Sequence, residues 1–212
     1  MHRTFVGDLH GDWRVLNQLL KHYKKSKIIQ IGDLGLGFAT YTNVATGEPF
    51  FEGDPESLPK NFRFIRGNHD SPEVCRQHPN YIGEYGFDQE TNAFYISGAW
   101  SFDHAYRTVG LDWWEDEELS YQQLQKAIED YEKIKPNVVF AHTCPATIAK
   151  TFLMNYKYEY HADRTENALD TMWKIHQPRL WVFGHWHRNF DQNVLKTRFL
   201  CLNINQAKVL DI

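Results

Sequence analysis

The chain has 212 residues, of which 42% are hydrophobic and 24% charged, with a formal net charge of -4. This balance excludes a disordered or fibrous protein, and the acidic excess excludes one that grips nucleic acid through a broad basic face. The length and the lack of a linker predict one domain over residues 1–212.

The first apolar stretch, Thr4 to Val6, runs into Gly7-Asp8, and Trp13 to Tyr23 then shows helical spacing through Val15, Leu16, Leu19 and Leu20. Lys27 to Ile31 is a second strand, again ending in Gly-Asp at Gly32-Asp33. Residues 37–60 are rich in Gly, Pro, Thr and Asn and read as a surface loop insertion. A third strand, Phe62 to Ile65, delivers Arg66-Gly67-Asn68-His69-Asp70, and Pro72 opens a short helix. Short Gly-punctuated runs between Tyr81 and Phe102 predict two or three antiparallel strands.

Ser120 to Ile134 carries Leu124, Ala127, Ile128 and Tyr131 at helical spacing behind a Ser start signal, and Pro136 closes the helix. Val138 to Ala141 is a core strand leading to His142, and Thr165 to His176 is a further helix. Leu180 to Phe183 is a strand that delivers Gly184-His185-Trp186-His187, and two closing strands lie within Val194 to Ile212.

Five strands thus end in residues able to bind metal: Asp8 with His10, Asp33, Asn68 with His69, His142, and His185 with His187. Extended chain has a side-chain period of two, so D-x-H and H-x-H segments are expected to aim both side chains the same way. Strand C-terminal ends are also where open α/β sheets collect ligands. Nitrogen and carboxylate donors together suit first-row divalent ions such as Mn, Fe, Zn, Co or Ni rather than Ca or Mg. Asp8 and Asp33 are the two carboxylates among the seven candidate ligands. Two dications against two carboxylates leave about +2 by formal counting, a charge that attracts phosphate.

The blocks Gly7-Asp8-Leu9-His10-Gly11, Gly32-Asp33, Gly67-Asn68-His69-Asp70, His142 and Gly184-His185-Trp186-His187 resemble, in order and spacing, the calcineurin-like metallophosphoesterases. The resemblance implies a four-layer α/β/β/α sandwich of two mixed sheets flanked by helices. It implies two divalent metal ions, manganese first among them. Asp8, His10 and His187 would bind one, Asn68, His142 and His185 the other, and Asp33 would bridge ions about 3.5–4 Å apart. It implies a metal-activated hydroxide as nucleophile, His69 as general acid and Asp70 as the residue holding its ring.

The second block departs from the protein-phosphatase pattern GDxxDRG, reading Gly32-Asp33-Leu34-Gly35-Leu36-Gly37, so its second Asp and its phosphate-binding Arg are missing. Arg66 matches the Arg often found before GNH, and Arg107 is a second candidate for phosphate contact, since a guanidinium fork fits phosphate oxygens. The expected substrate is a small phosphoester, a nucleotide or a phosphorylated macromolecule, as monoester or diester. Nucleic-acid ends are the alternative, and a scaffold that keeps the fold without catalysis is the contrasting class. No stable protein partner is implied.

His22, His78, His161 and His176 lack metal-ligand context and are expected at the surface or in packing, while Trp113 and Trp114 before the acidic run 115–118 are expected to pack. Three widely spaced cysteines, Cys75, Cys144 and Cys201, fit reduced thiols, and neither a signal peptide nor a bilayer-length apolar run is evident, so a cytoplasmic protein is expected.

Overall fold

The computed structural model describes residues 2–38, 58–154 and 160–212. The loop expected over 37–60 falls, for residues 39–57, outside the described residues.

Among the described residues, ten strands form two mixed sheets. In the first, β1 (His2–Val6), β2 (Lys27–Ile31) and β3 (Phe62–Ile65) run parallel, and β10 (Ala207–Asp211) pairs antiparallel with β1. The second has the order β4-β5-β6-β7-β9-β8. Its parallel centre is β5 (Ala93–Ile96), β6 (Val138–Ala141), β7 (Leu180–Phe183) and β9 (Thr197–Cys201), and β4 (Tyr85–Asp88) and β8 (Phe190–Val194) are antiparallel edges.

Strands β5, β6 and β7 are apolar and buried at every position because both faces are covered. Phe5, Ile29 and Ile65 of the first sheet meet Tyr95, Phe140, Val182 and Leu200 of the second in a layer between the sheets. The outer face of the first sheet, through Ile28, Phe62 and Phe64, packs on Leu16 of α1 (Trp13–His22) and Cys75 of α2 (Pro72–Gln77). On the outer face of the second, Val139, Trp181 and Phe183 pack on Leu124 and Tyr131 of α3 (Tyr121–Ile134) and on Leu169 and Met172 of α5 (Arg164–Ile175). This is the expected α/β/β/α layering. Truncating a ring such as Phe140, which is fully buried, is a change that typically costs about 3–5 kcal/mol.

Helix starts follow local chemistry. Asp12 caps α1, Ser71 caps α2 with Pro72 at its first turn, and Ser120 with Gln123 forms a capping box on α3. Lys135, in the left-handed region at φ 48°, ends α3 one residue before Pro136. A single turn, α4 (Ala146–Ile148), continues into the π-helical turn Ala149–Leu153. Neither that turn nor β8 was expected from the sequence. Among the described residues, no helix is long and apolar enough to cross a membrane.

Candidate metal centre

The C-terminal ends of β1, β2 and β3 in one sheet and of β6 and β7 in the other deliver all the expected ligands to one place. The loops are tied together by backbone: Leu9 and His10 donate to the Asp33 carbonyl at 2.9 and 2.8 Å, and Gly184 donates to the His142 carbonyl at 2.9 Å.

Two donor sets flank Asp33. In the first, one ligand atom from each of Asp8, His10, Asp33 and His187 lies within 4.8 Å of all the others. His10 Nε2 is 3.0 Å from His187 Nε2 and 3.8 Å from Asp33 Oδ2, and His187 Nε2 is 3.0 Å from Asp8 Oδ2. In the second, Asn68 Oδ1 is 3.1 Å from His142 Nε2 and 2.9 Å from His185 Nδ1, and His142 Nε2 is 3.2 Å from Asp33 Oδ1. Each oxygen of Asp33 therefore faces a different set. Neighbouring ligands on an octahedral ion with bonds of about 2.1 Å sit about 3 Å apart, so these spacings and the mixed nitrogen and oxygen donors fit two divalent ions.

The way the ligands converge differs from expectation. His10, Asp33, His185 and His187 all have positive φ, between 48° and 65°. These segments are left-handed turns and not extended chain, so alternation along a strand does not aim the side chains. It also explains how His185 and His187, two residues apart, serve different sets. Such backbone costs each non-glycine residue about 1 kcal/mol or more and is held only where surroundings enforce it.

Electrostatics bind the sets together. Burial works to raise the Asp33 carboxyl, but His142, His69 and His10 more than reverse this and hold it well below the usual carboxylate range. Burial opposes charge on His142, yet the adjacent Asp33 keeps it up at about 9. His185 is pushed down by burial and by neighbouring His142, whereas His187 is raised by its hydrogen bond to Asp8.

His69 lies at the mouth. Its backbone N–H donates to Asp33 Oδ1 at 2.7 Å, and its ring stands edge-on to His10, with centroids 4.7 Å apart, and stacks on Phe38 at 14°. Arg107 meets its Nε2 at 2.9 Å and is held in turn by Asp103 at 2.7 Å. Burial, the largest influence, lowers the His69 ring to about 4. Trp114 lies 5.8 Å from Phe38, close to the site, while Trp113 packs against His104. His78 packs on Phe64, and His176 bonds the Pro136 carbonyl, as expected of packing histidines.

Two expectations need correction. The Asp70 carboxylate was expected to hold the His69 ring. Its oxygens instead accept four backbone N–H groups, from Leu34 and Gly67 at Oδ2 and from Gly35 and Leu36 at Oδ1, so it clasps the second and third ligand loops together. Arg66 was expected at phosphate. It is fully buried, with Nε and Nη2 on Glu84 Oε2 and Nη1 on the Glu117 carbonyl, so its donors are already committed. Arg107 does reach the centre. Ser101, Glu117 and Phe38 adjoin it as well, and no motif or spacing in the sequence marks them.

The family model of the calcineurin-like phosphoesterases matches residues 1–189. The chain belongs to this family. Among solved structures, the chain is similar to GAP50, described as the anchor in the inner membrane complex of Plasmodium, at 10% identity and a TM-score of 0.50, covering 96% of this chain and 72% of that one. It is also similar to a conserved uncharacterized protein, a predicted phosphoesterase, from Streptococcus pneumoniae, at 13% identity and a TM-score of 0.40, covering 96% and 74% respectively. No curated protein matches significantly in sequence.

Proposed function

We propose that this calcineurin-like phosphoesterase hydrolyses a phosphomonoester or phosphodiester using two divalent ions, manganese first among them. The observation that carries the reading is the Asp33 carboxylate, whose two oxygens face separate donor sets. When bound, the ions lower the pKa of a water and neutralise the charge on the phosphate oxygens.

The remaining work falls to residues at the mouth. Arg107 offers its fork to the phosphate oxygens, and Asp103 keeps it aimed. His69 donates a proton to the leaving oxygen. While Arg107 donates to Nε2 the ring is neutral; a phosphate that draws Arg107 away frees this nitrogen, and its negative charge favours the imidazolium. Phe38 stacks on His69 and Trp114 stands against Phe38, an aromatic border that favours a leaving group with a planar ring, such as a nucleoside. All seven donors and His69 are present, which supports catalysis over a purely scaffolding role. Three buried free thiols are consistent with a reducing, cytoplasmic setting.

The test is turnover of nitrophenyl phosphomonoesters and diesters by protein loaded with Mn. Metal-dependent hydrolysis that falls more than 100-fold in Asp33→Asn is expected, beyond the roughly 10–100-fold lost when an outer partner of a ligand is removed. No metal-dependent turnover on either ester, or an Asp33→Asn variant equal to wild type, overturns the reading.

A further inference from the structure

Asn68 can serve as a ligand in only one orientation of its amide, with Oδ1 and not the NH2 group facing His142 and His185. The two orientations have nearly the same shape, so packing alone selects weakly between them. A buried chain of hydrogen bonds makes the selection. Asn68 Nδ2 donates to Ser101 Oγ at 3.0 Å, Ser101 Oγ donates to Glu117 Oε2 at 2.6 Å, and the Ser101 backbone N–H donates to Glu117 Oε1 at 2.8 Å. The three residues are 3%, 0% and 1% exposed.

The direction of this chain is determined by chemistry. Burial pushes the Glu117 carboxyl up, and the two hydrogen bonds from Ser101 pull it back toward the ionised form; an ionised carboxylate only accepts, so the single Ser101 hydroxyl proton points to it. The serine oxygen then has only lone pairs left for Asn68, and these can be met only by the Asn68 NH2 group. Oδ1 is consequently turned toward the second donor set. We propose that Glu117, acting through Ser101, is a positioning residue that fixes the amide of Asn68 as an oxygen donor for the second metal. The inference rests on the dinuclear reading above. It also gives the buried Arg66 a task, because its Nη1 bonds the Glu117 carbonyl and holds in place the segment that carries the carboxylate.

Glu117→Gln preserves shape but supplies an NH2 group that donates to Ser101 Oγ. The hydroxyl proton is then released toward Asn68, and the amide loses its bias. The experiment is calorimetric titration of metal-stripped protein with MnCl2, with atomic absorption after gel filtration to count ions and melting of the metal-free forms to monitor the fold. Wild type is expected to take up two ions. Glu117→Gln should bind the second at least tenfold more weakly, with little change in metal-free melting, in line with the loss of an outer partner at metal sites. Ser101→Ala should reproduce the defect and Ser101→Thr, which keeps the hydroxyl, should recover it. In an Asn68→Asp background, where either side-chain atom is an oxygen and the hydroxyl proton released by Glu117→Gln meets an acceptor, Glu117→Gln should cause no further loss of affinity. Two ions bound with equal affinity by wild type, Glu117→Gln and Ser101→Ala overturn the relay alone. Wild-type protein that binds no ion overturns the dinuclear reading, and the relay with it.

Discussion

Gly184 lies so close to Asp8 that a Cβ on it would stand 2.2 Å from Asp8 Oδ1. Asp8 is fully buried, and the N–H of His185 donates to its Oδ2 at 3.0 Å, so the carboxylate has little room to retreat. The glycine before the last candidate pair is therefore shaped by the first candidate ligand, 176 positions earlier.

Gly184→Ala should accordingly damage the first donor set more than the fold. Overpacking of this kind costs about 1–3 kcal/mol, and the displaced carboxylate should cut Mn-dependent turnover by two orders of magnitude or more. Activity and urea melts measured on the same preparation check this. Full turnover in Gly184→Ala would show that Asp8 shifts without consequence.

Asp70 supplies a prediction about stability. Asp70→Asn replaces an oxygen that accepts with an NH2 group that cannot, leaving two of its four backbone donors facing another donor. Each buried N–H left unmet costs about 1–3 kcal/mol, so a loss of roughly 3 kcal/mol is expected. It should be read as a lower urea midpoint at unchanged slope. An unchanged midpoint would mean that the clasp contributes nothing.

What the sequence reveals follows from what each signal measures. Apolar runs such as Lys27 to Ile31 and Leu180 to Phe183 are legible because strands buried on both faces need them, and the candidate ligands are legible because metal chemistry restricts residue types. Strand β8 was missed because its residues Phe190 to Val194 lie on an edge with an exposed centre and carry no apolar pattern. The left-handed backbone at His10 and His185 is unreadable, since glycine, the usual signal, is absent from those positions. Arg66 precedes the GNH block as a phosphate-binding arginine would, but its role is decided by Glu84, 18 residues away and invisible to a local motif.

Replacing Arg107 tests substrate binding apart from metal binding. Its guanidinium lies against His69 and is anchored by Asp103 outside both donor sets. Hydrogen bonds to a charged group contribute about 1.5–3 kcal/mol, so Arg107→Ala should raise KM for a phosphoester by about 10–100-fold while the number of bound Mn ions stays the same. Arg107→Lys, which keeps the charge but loses the fork, should fall between the two. Steady-state kinetics with metal analysis decide the point; an unchanged KM would remove Arg107 from the phosphate.

Glu166 makes stability depend on pH. It is 3% exposed, and the Tyr160 hydroxyl donates to its Oε2 at 2.5 Å. Burial raises its carboxyl to about 7 from an ordinary 4.5, against the opposing pull of Tyr160. Because the folded protein holds this proton more tightly than the unfolded chain, the stabilising contribution is complete below about pH 4.5 and is lost as pH rises through about 7. Glu166→Gln, which has no proton to lose, should melt close to wild type at pH 4.5 and above it at pH 8. A difference of about 1 kcal/mol corresponds to about 2–4 °C in a chain of this size. Melting curves at the two pH values in matched ionic strength measure this gap, and one that is the same at both would show that Glu166 titrates alike in the folded and unfolded states.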